Sequence, residues 1–184
     1  MRKVRYNVAA SLDGFIARPD GRFDWIVEDA SIDFAALTRE FDTALLGRAT
    51  WEVMRAMGPS GTIPGVRMVV CSTTLTEVET AAAGATLIRA DVPARVAAMK
   101  QEPGRDIWLF GGGVLFRALL EAGLVDTVEV AVMPVLIGDG LRLLPGVDRD
   151  ARLALRHASS LPSGIVMLKY DVHRDAVPDA NGKG

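Results

Sequence analysis

The sequence predicts an α/β fold: a central mixed, mostly parallel sheet flanked by helices and completed by antiparallel C-terminal strands. Three observations carry this prediction. Apolar runs of strand length alternate with segments of helical period up to Glu121. Several of those strands end in a glycine- or hydroxyl-rich turn. Beyond Val125 the pattern changes to longer strand segments with no helix between them, which implies antiparallel pairing at one side of the sheet.

The first apolar run, Val4 to Ala10, leads into the turn Ser11-Leu12-Asp13-Gly14. Pro19-Asp20-Gly21 marks a loop, because proline presets φ and glycine accepts positive φ. Phe34, Leu37 and Phe41 fall at three- and four-residue spacing and predict an amphipathic helix over Ile32 to Phe41. A strand over Thr43 to Leu46 meets Gly47, with a helix from Thr50 to Met57 and a loop over Gly58 to Gly65. Strands follow at Val66 to Cys71 and Thr86 to Ile88. Val92, Val96 and Met99 mark a helix that Pro93 helps to start. Strand Ile107 to Phe110 runs into Gly111-Gly112-Gly113 and a helix over Val114 to Glu121, with Gly123 as its C-cap. The last strands are Val125 to Val135, Ala151 to Ala158 and Gly164 to His173. These elements form one domain over residues 1–174, and 175–184 is expected to be a disordered tail.

The chain has 184 residues, 49% hydrophobic and 24% charged, with a formal net charge of −2. That balance creates no basic field for nucleic acid or membrane surfaces. No apolar run approaches the ~18 residues of a membrane span, and the N-terminus lacks a signal-peptide pattern, so a cytoplasmic protein is expected. The single cysteine, Cys71, permits no intrachain disulfide. It sits in the run Met68-Val69-Val70-Cys71 and reads as a small buried hydrophobe. His157 and His173 have no metal-ligand spacing, and no metal is expected.

Three strand-to-helix turns carry the chemical signal. In α/β sheets, ligands collect beyond the carboxyl ends of the strands, where helix N-termini offer free N–H groups. In Phe110-Gly111-Gly112-Gly113-Val114-Leu115, adjacent glycines let the backbone approach a flat or anionic ligand. In Leu46-Gly47-Arg48-Ala49-Thr50-Trp51, Thr50 is a candidate N-cap and Arg48 a candidate phosphate fork. In Cys71-Ser72-Thr73-Thr74, hydroxyls follow a strand, with Arg89 a further candidate after the strand Thr86 to Ile88. The G-x-G-x-x-G fingerprint and the P-loop are both absent, which disfavours an ordinary Rossmann dehydrogenase and an ATPase.

Ala9-Ala10-Ser11-Leu12-Asp13-Gly14-Phe15-Ile16-Ala17, then Leu46 to Glu52, then Phe110 to Gly113, occur in an order that resembles the dihydrofolate-reductase superfamily. The Ser-Leu-Asp-Gly segment and Leu136-Ile137-Gly138-Asp139-Gly140 are most similar to its riboflavin-biosynthesis branch, the reductase domain of the bifunctional deaminase-reductase. The resemblance implies a three-layer dihydrofolate-reductase-like fold and an NADPH-dependent reductase acting on a pteridine- or pyrimidine-like or carbonyl substrate. It implies that Gly47, Arg48, Ala49 and Thr50 contact the adenosine 2′-phosphate and pyrophosphate, with Ser72, Thr73 and Arg89 at the adenosine end. Gly111, Gly112, Gly113, Val114 and Leu115 would hold the pyrophosphate and nicotinamide ribose, and Ala9 and Ile16 would line the nicotinamide. Asp33 and Asp13 are the two candidate catalytic carboxylates, and a homodimer is expected as in that branch. The zinc deaminase signature is absent, and Phe23-Asp24-Trp25 stands where dihydrofolate reductases carry proline-tryptophan. A true dihydrofolate reductase and a non-catalytic NADPH-binding module remain the alternatives.

Overall fold

The computed structural model describes residues 1–58, 62–146 and 150–173. Its elements in chain order are β1 (Val4–Ser11), β2 (Phe15–Ala17), α1 (Phe34–Arg39), β3 (Phe41–Gly47) and α2 (Arg48–Ala56). There follow β4 (Arg67–Cys71), α3 (Glu77–Ala81), β5 (Thr86–Ile88), α4 (Val92–Gln101), β6 (Asp106–Gly111) and α5 (Gly113–Glu121). The chain ends with β7 (Thr127–Met133), β8 (Leu141–Arg142), β9 (Leu153–Ser160) and β10 (Val166–Val172). Eight strands form one sheet in the order β5-β4-β3-β6-β1-β7-β10-β9, and β2 pairs with β8 separately. The strands from β5 to β7 are parallel, and β10 and β9 add antiparallel pairs. The segment expected as a tail, 175–184, lies outside the described residues.

Strand alternation builds two cores. On one face Val4 and Tyr6 of β1 and Leu109 of β6 pack under Val96 and Met99 of α4 and Phe116 and Leu119 of α5. On the other, Phe41, Leu46 and Trp108 pack under Leu37 of α1 and Trp51 and Met54 of α2. A third, smaller cluster joins Trp25, Met133 and Ile165, with Ala9, Ile32 and Ile137 against it. Near the start of β1, Arg5 lies over the Phe41 ring and makes a bidentate pair with Glu129 across β1 and β7, at 2.7 and 2.8 Å. Asn7 and Lys169 add donors to the same carboxylate. Burial pushes the Glu129 carboxyl up, but the Arg5 hydrogen bonds and charge outweigh it and hold it down to about 2.

The structure corrects several boundaries. The first helix spans Phe34 to Arg39 rather than Ile32 to Phe41. Asp33 caps it, accepting the Ala36 amide at 2.8 Å. Phe41 matches the helical spacing, yet it opens β3 and stacks fully buried on Trp108, with ring centroids 4.9 Å apart. The second helix starts at Arg48, so Gly47 and not Thr50 is its N-cap. Two features escape the periodicity because they are short. One is α3, whose Thr76/Glu79 capping box was present in the sequence, and the other is the β2–β8 pair. Gly123, with φ +67°, follows α5 as expected, and the Leu124 amide bonds back to the Leu119 carbonyl.

Candidate active site

The three turns lie side by side because β4, β3 and β6 are adjacent and end in register. Gly47 stands opposite Cys71, and Leu46 opposite Gly111. A Cβ placed on Gly47 would sit 3.9 Å from the Gly111 carbonyl oxygen and 4.0 Å from the Gly112 nitrogen. The two glycine turns therefore face each other with no side chain between them. Thr50, in the first turn of α2, lies against this pair, its hydroxyl 3.2 Å from where a Gly111 Cβ would be. The Gly111–Gly112 peptide is cis.

The three adjacent glycines serve different ends. Gly112 is the N-cap of α5. The first helical bond runs from the Phe116 amide to the Gly112 carbonyl, so the amides of Gly113, Val114 and Leu115 precede the ladder at the positive end of the helix. Gly113 has a second constraint: a Cβ there would lie 2.5 Å from the Arg142 carbonyl oxygen and 2.7 Å from Pro145 Cδ. The Leu115 side chain is core, whereas Val114 is exposed.

At the outer end of the same edge, Arg48 and Ala49 are exposed, and Arg48 pairs with Glu52 at 2.8 Å. Arg89 reaches across from β5 to the Thr73 carbonyl at 3.1 Å. The Ser72 hydroxyl accepts the Thr74 and Leu75 amides, so it shapes its own turn, while Thr73 is exposed.

At the inner end, Ala9 pairs with Ala131 on β7. Ala9 belongs to the cluster that also holds Trp25 and Ile32. Asp33, next to Ile32, is exposed at the start of α1. Asp13 points elsewhere, accepting the Gly138 amide at 2.7 Å and the Ile137 amide at 3.1 Å. Ile16 is the half-buried middle residue of β2. The sequence-predicted residues thus divide into an outer cationic group, a central glycine cradle and an inner group around Ala9.

Sequence reasoning missed the segment 134–145, which packs against the first β-turn and the start of α5. Its Leu136 to Gly140 stretch was visible only as a family mark. Trp25, expected as core or a cleft wall, is buried beside Ala9 and Ile32, with no partner for its indole N–H among the described residues. The described residues hold no group of three metal-ligating side chains. No helix among them is long and apolar enough to cross a membrane.

The chain is similar to known proteins. The uncharacterized protein YyaP of Bacillus subtilis is 28% identical over 180 residues, covering 92% of this chain and 94% of its own. A solved structure assigned to riboflavin biosynthesis in Shewanella sp. PV-4 superposes with a TM-score of 0.80 at 23% identity, covering 95% of this chain and 100% of that one. Dihydrofolate reductase from Enterococcus faecalis, complexed with NADP(H), superposes with a TM-score of 0.68 at 16% identity, covering 93% and 96%. The two solved structures share the fold. The family described as the RibD C-terminal domain matches residues 2–167, and the chain belongs to that family.

Proposed function

We propose that this chain is an NADPH-dependent reductase. It transfers hydride to a C=N or C=O group of a small heteroaromatic, pteridine- or pyrimidine-like, or carbonyl substrate. The observation that carries the reading is the side-chain-free cradle between Gly47 and Gly111–Gly112, bounded by Thr50 and by the N-termini of α2 and α5. Such a cradle suits a pyrophosphate, since backbone amides and two helix dipoles converge on it. Arg48 and Arg89 lie at the adenosine end of the same edge. A guanidinium there suits a 2′-phosphate monoester, which NADPH carries and NADH lacks.

NADPH, when bound, supplies the hydride from C4 of its nicotinamide, and the protein supplies position and electrostatics. The α5 amides and Thr50 orient the pyrophosphate, and Ala9 and Ile16 form the nicotinamide wall. The substrate proton comes from water or from a group at Asp33.

The sheet face formed by Val130, Leu168, Tyr170 and Leu155 is apolar and partly exposed. That face supports a homodimer, and we propose a cytoplasmic location.

The test is calorimetric titration of the purified chain with NADPH and NADH side by side. Micromolar NADPH binding with much weaker NADH binding is expected, and Arg48→Ala should weaken NADPH about tenfold while barely moving NADH. Absence of binding by either cofactor would refute the reductase reading. NADPH binding without oxidation across pterins, pyrimidines and small carbonyls would favour a non-catalytic module.

A further inference from the structure

One side chain ties the turn after β1 to the segment after β7. Asp13 accepts two consecutive amides, Gly138 N–H at 2.7 Å and Ile137 N–H at 3.1 Å. Backbone bonds flank it on both sides, from Leu12 N–H to the Val135 carbonyl and from Leu143 N–H to the Gly14 carbonyl, each 2.9 Å. Ile137 and Gly138 lie outside any strand, and the Asp13 carboxylate satisfies their donors.

The segment held in this way then touches the candidate site at two points. Gly140 passes so close to β2 that a Cβ there would lie 2.2 Å from the Ala17 carbonyl oxygen, next to Ile16. Further on, the Arg142 and Leu143 carbonyls crowd Gly113, at 2.5 and 3.1 Å from the position of its Cβ. One end of the strap abuts the expected nicotinamide wall, and the other abuts the start of α5 and its pyrophosphate turn.

We propose that Asp13 is a positioning residue that locks the strap 134–145, and that the strap sets the spacing between Ile16 and the Gly111–Gly113 turn. NADPH affinity then depends on a carboxylate that does not touch the cofactor. This inference rests on the NADPH reading above. Its chemistry also differs from that of a proton donor. The Ser11 hydroxyl, together with the Gly138 and Ile137 amides, holds the Asp13 carboxyl below the usual carboxylate range. It is ionised at neutral pH, where a general acid must carry its proton.

The experiment compares the full chain as wild type, Asp13→Ala and Asp13→Asn. It measures NADPH affinity by calorimetry, and amide hydrogen exchange across 135–143 without cofactor. Asp13→Ala should weaken NADPH about tenfold and speed exchange in that segment while the core strands keep their protection. Asp13→Asn keeps an acceptor oxygen for Gly138 and should recover most of both. Unchanged NADPH affinity in a folded Asp13→Ala chain would overturn the proposal, as would a strap whose exchange does not change. Should Asp13→Ala fail to fold, Asp13→Ser, which lacks the carboxylate that reaches the two amides, takes its place: weaker NADPH binding with faster strap exchange supports the lock, and no change in either overturns it. If wild type does not bind NADPH, the cofactor reading fails. The exchange comparison still shows whether Asp13 holds the strap, so the two failures are distinguishable.

Discussion

Asp33 is the first and Asp13 the second candidate carboxylate in the sequence, and their surroundings differ. Asp13 is committed to a distant loop, whereas Asp33, among the described residues, bonds only to its own helix and remains exposed beside Ile32. Capping alone explains an aspartate at position 33, because an Asx oxygen satisfies an orphan amide in the first turn. Asparagine caps about as well, so Asp33→Asn separates the two roles. The expected outcome is a melting temperature within a few degrees of wild type, unchanged NADPH affinity, and turnover reduced at least tenfold on whichever substrate the screen identifies. Turnover equal to wild type would assign the proton to water. Thr50 shows how backbone position overrides a local expectation. It was expected to cap α2, but Gly47 does so, and the threonine hydroxyl is directed to the glycine pair of the neighbouring turn.

Among the elements, those with a long or strongly periodic pattern were legible: β1, β6, α4 and α5 lie within a residue or two of expectation. The errors have physical causes. Phe41 continued a helical spacing, yet it is buried in β3 because tertiary packing on Trp108 outweighs local period. The elements β2, β8 and α3 are two to five residues long, too short to establish a period. The strap makes a prediction at this scale. A methyl group at Gly113 would meet a backbone carbonyl, which has no rotamer to yield. Gly113→Ala should therefore destabilise the chain by about 2 kcal/mol through overpacking, lowering the melting temperature in a thermal scan, and should weaken NADPH as α5 shifts. Unchanged stability would mean that the strap moves freely from α5.

For the whole molecule, helices pack on both faces of the sheet around β3 and β6, and the antiparallel edge is different. Leu155 is 58% exposed on β9 and Leu153 41%, and their cross-strand neighbours Tyr170 and Val172 continue the same apolar face. Contiguous apolar surface of this kind marks an interface. Light scattering at micromolar concentration should report a dimer, and Leu155→Glu should convert it to a monomer without loss of fold. A monomeric wild type would sink the homodimer proposal.

The sequence by itself determined the fold class, the order of the main strands and helices, and the three turns that end in glycines and hydroxyls. Each of these is written in local period and in residue types with special backbone freedom. Only the tertiary structure decided which strands are neighbours, and so that Gly47 faces Gly111 and Gly112 and that Arg89 crosses to Thr73. It also decided that Asp13 reaches Gly138, a contact spanning 125 residues. Such pairings depend on chain topology and burial, and no local pattern encodes them.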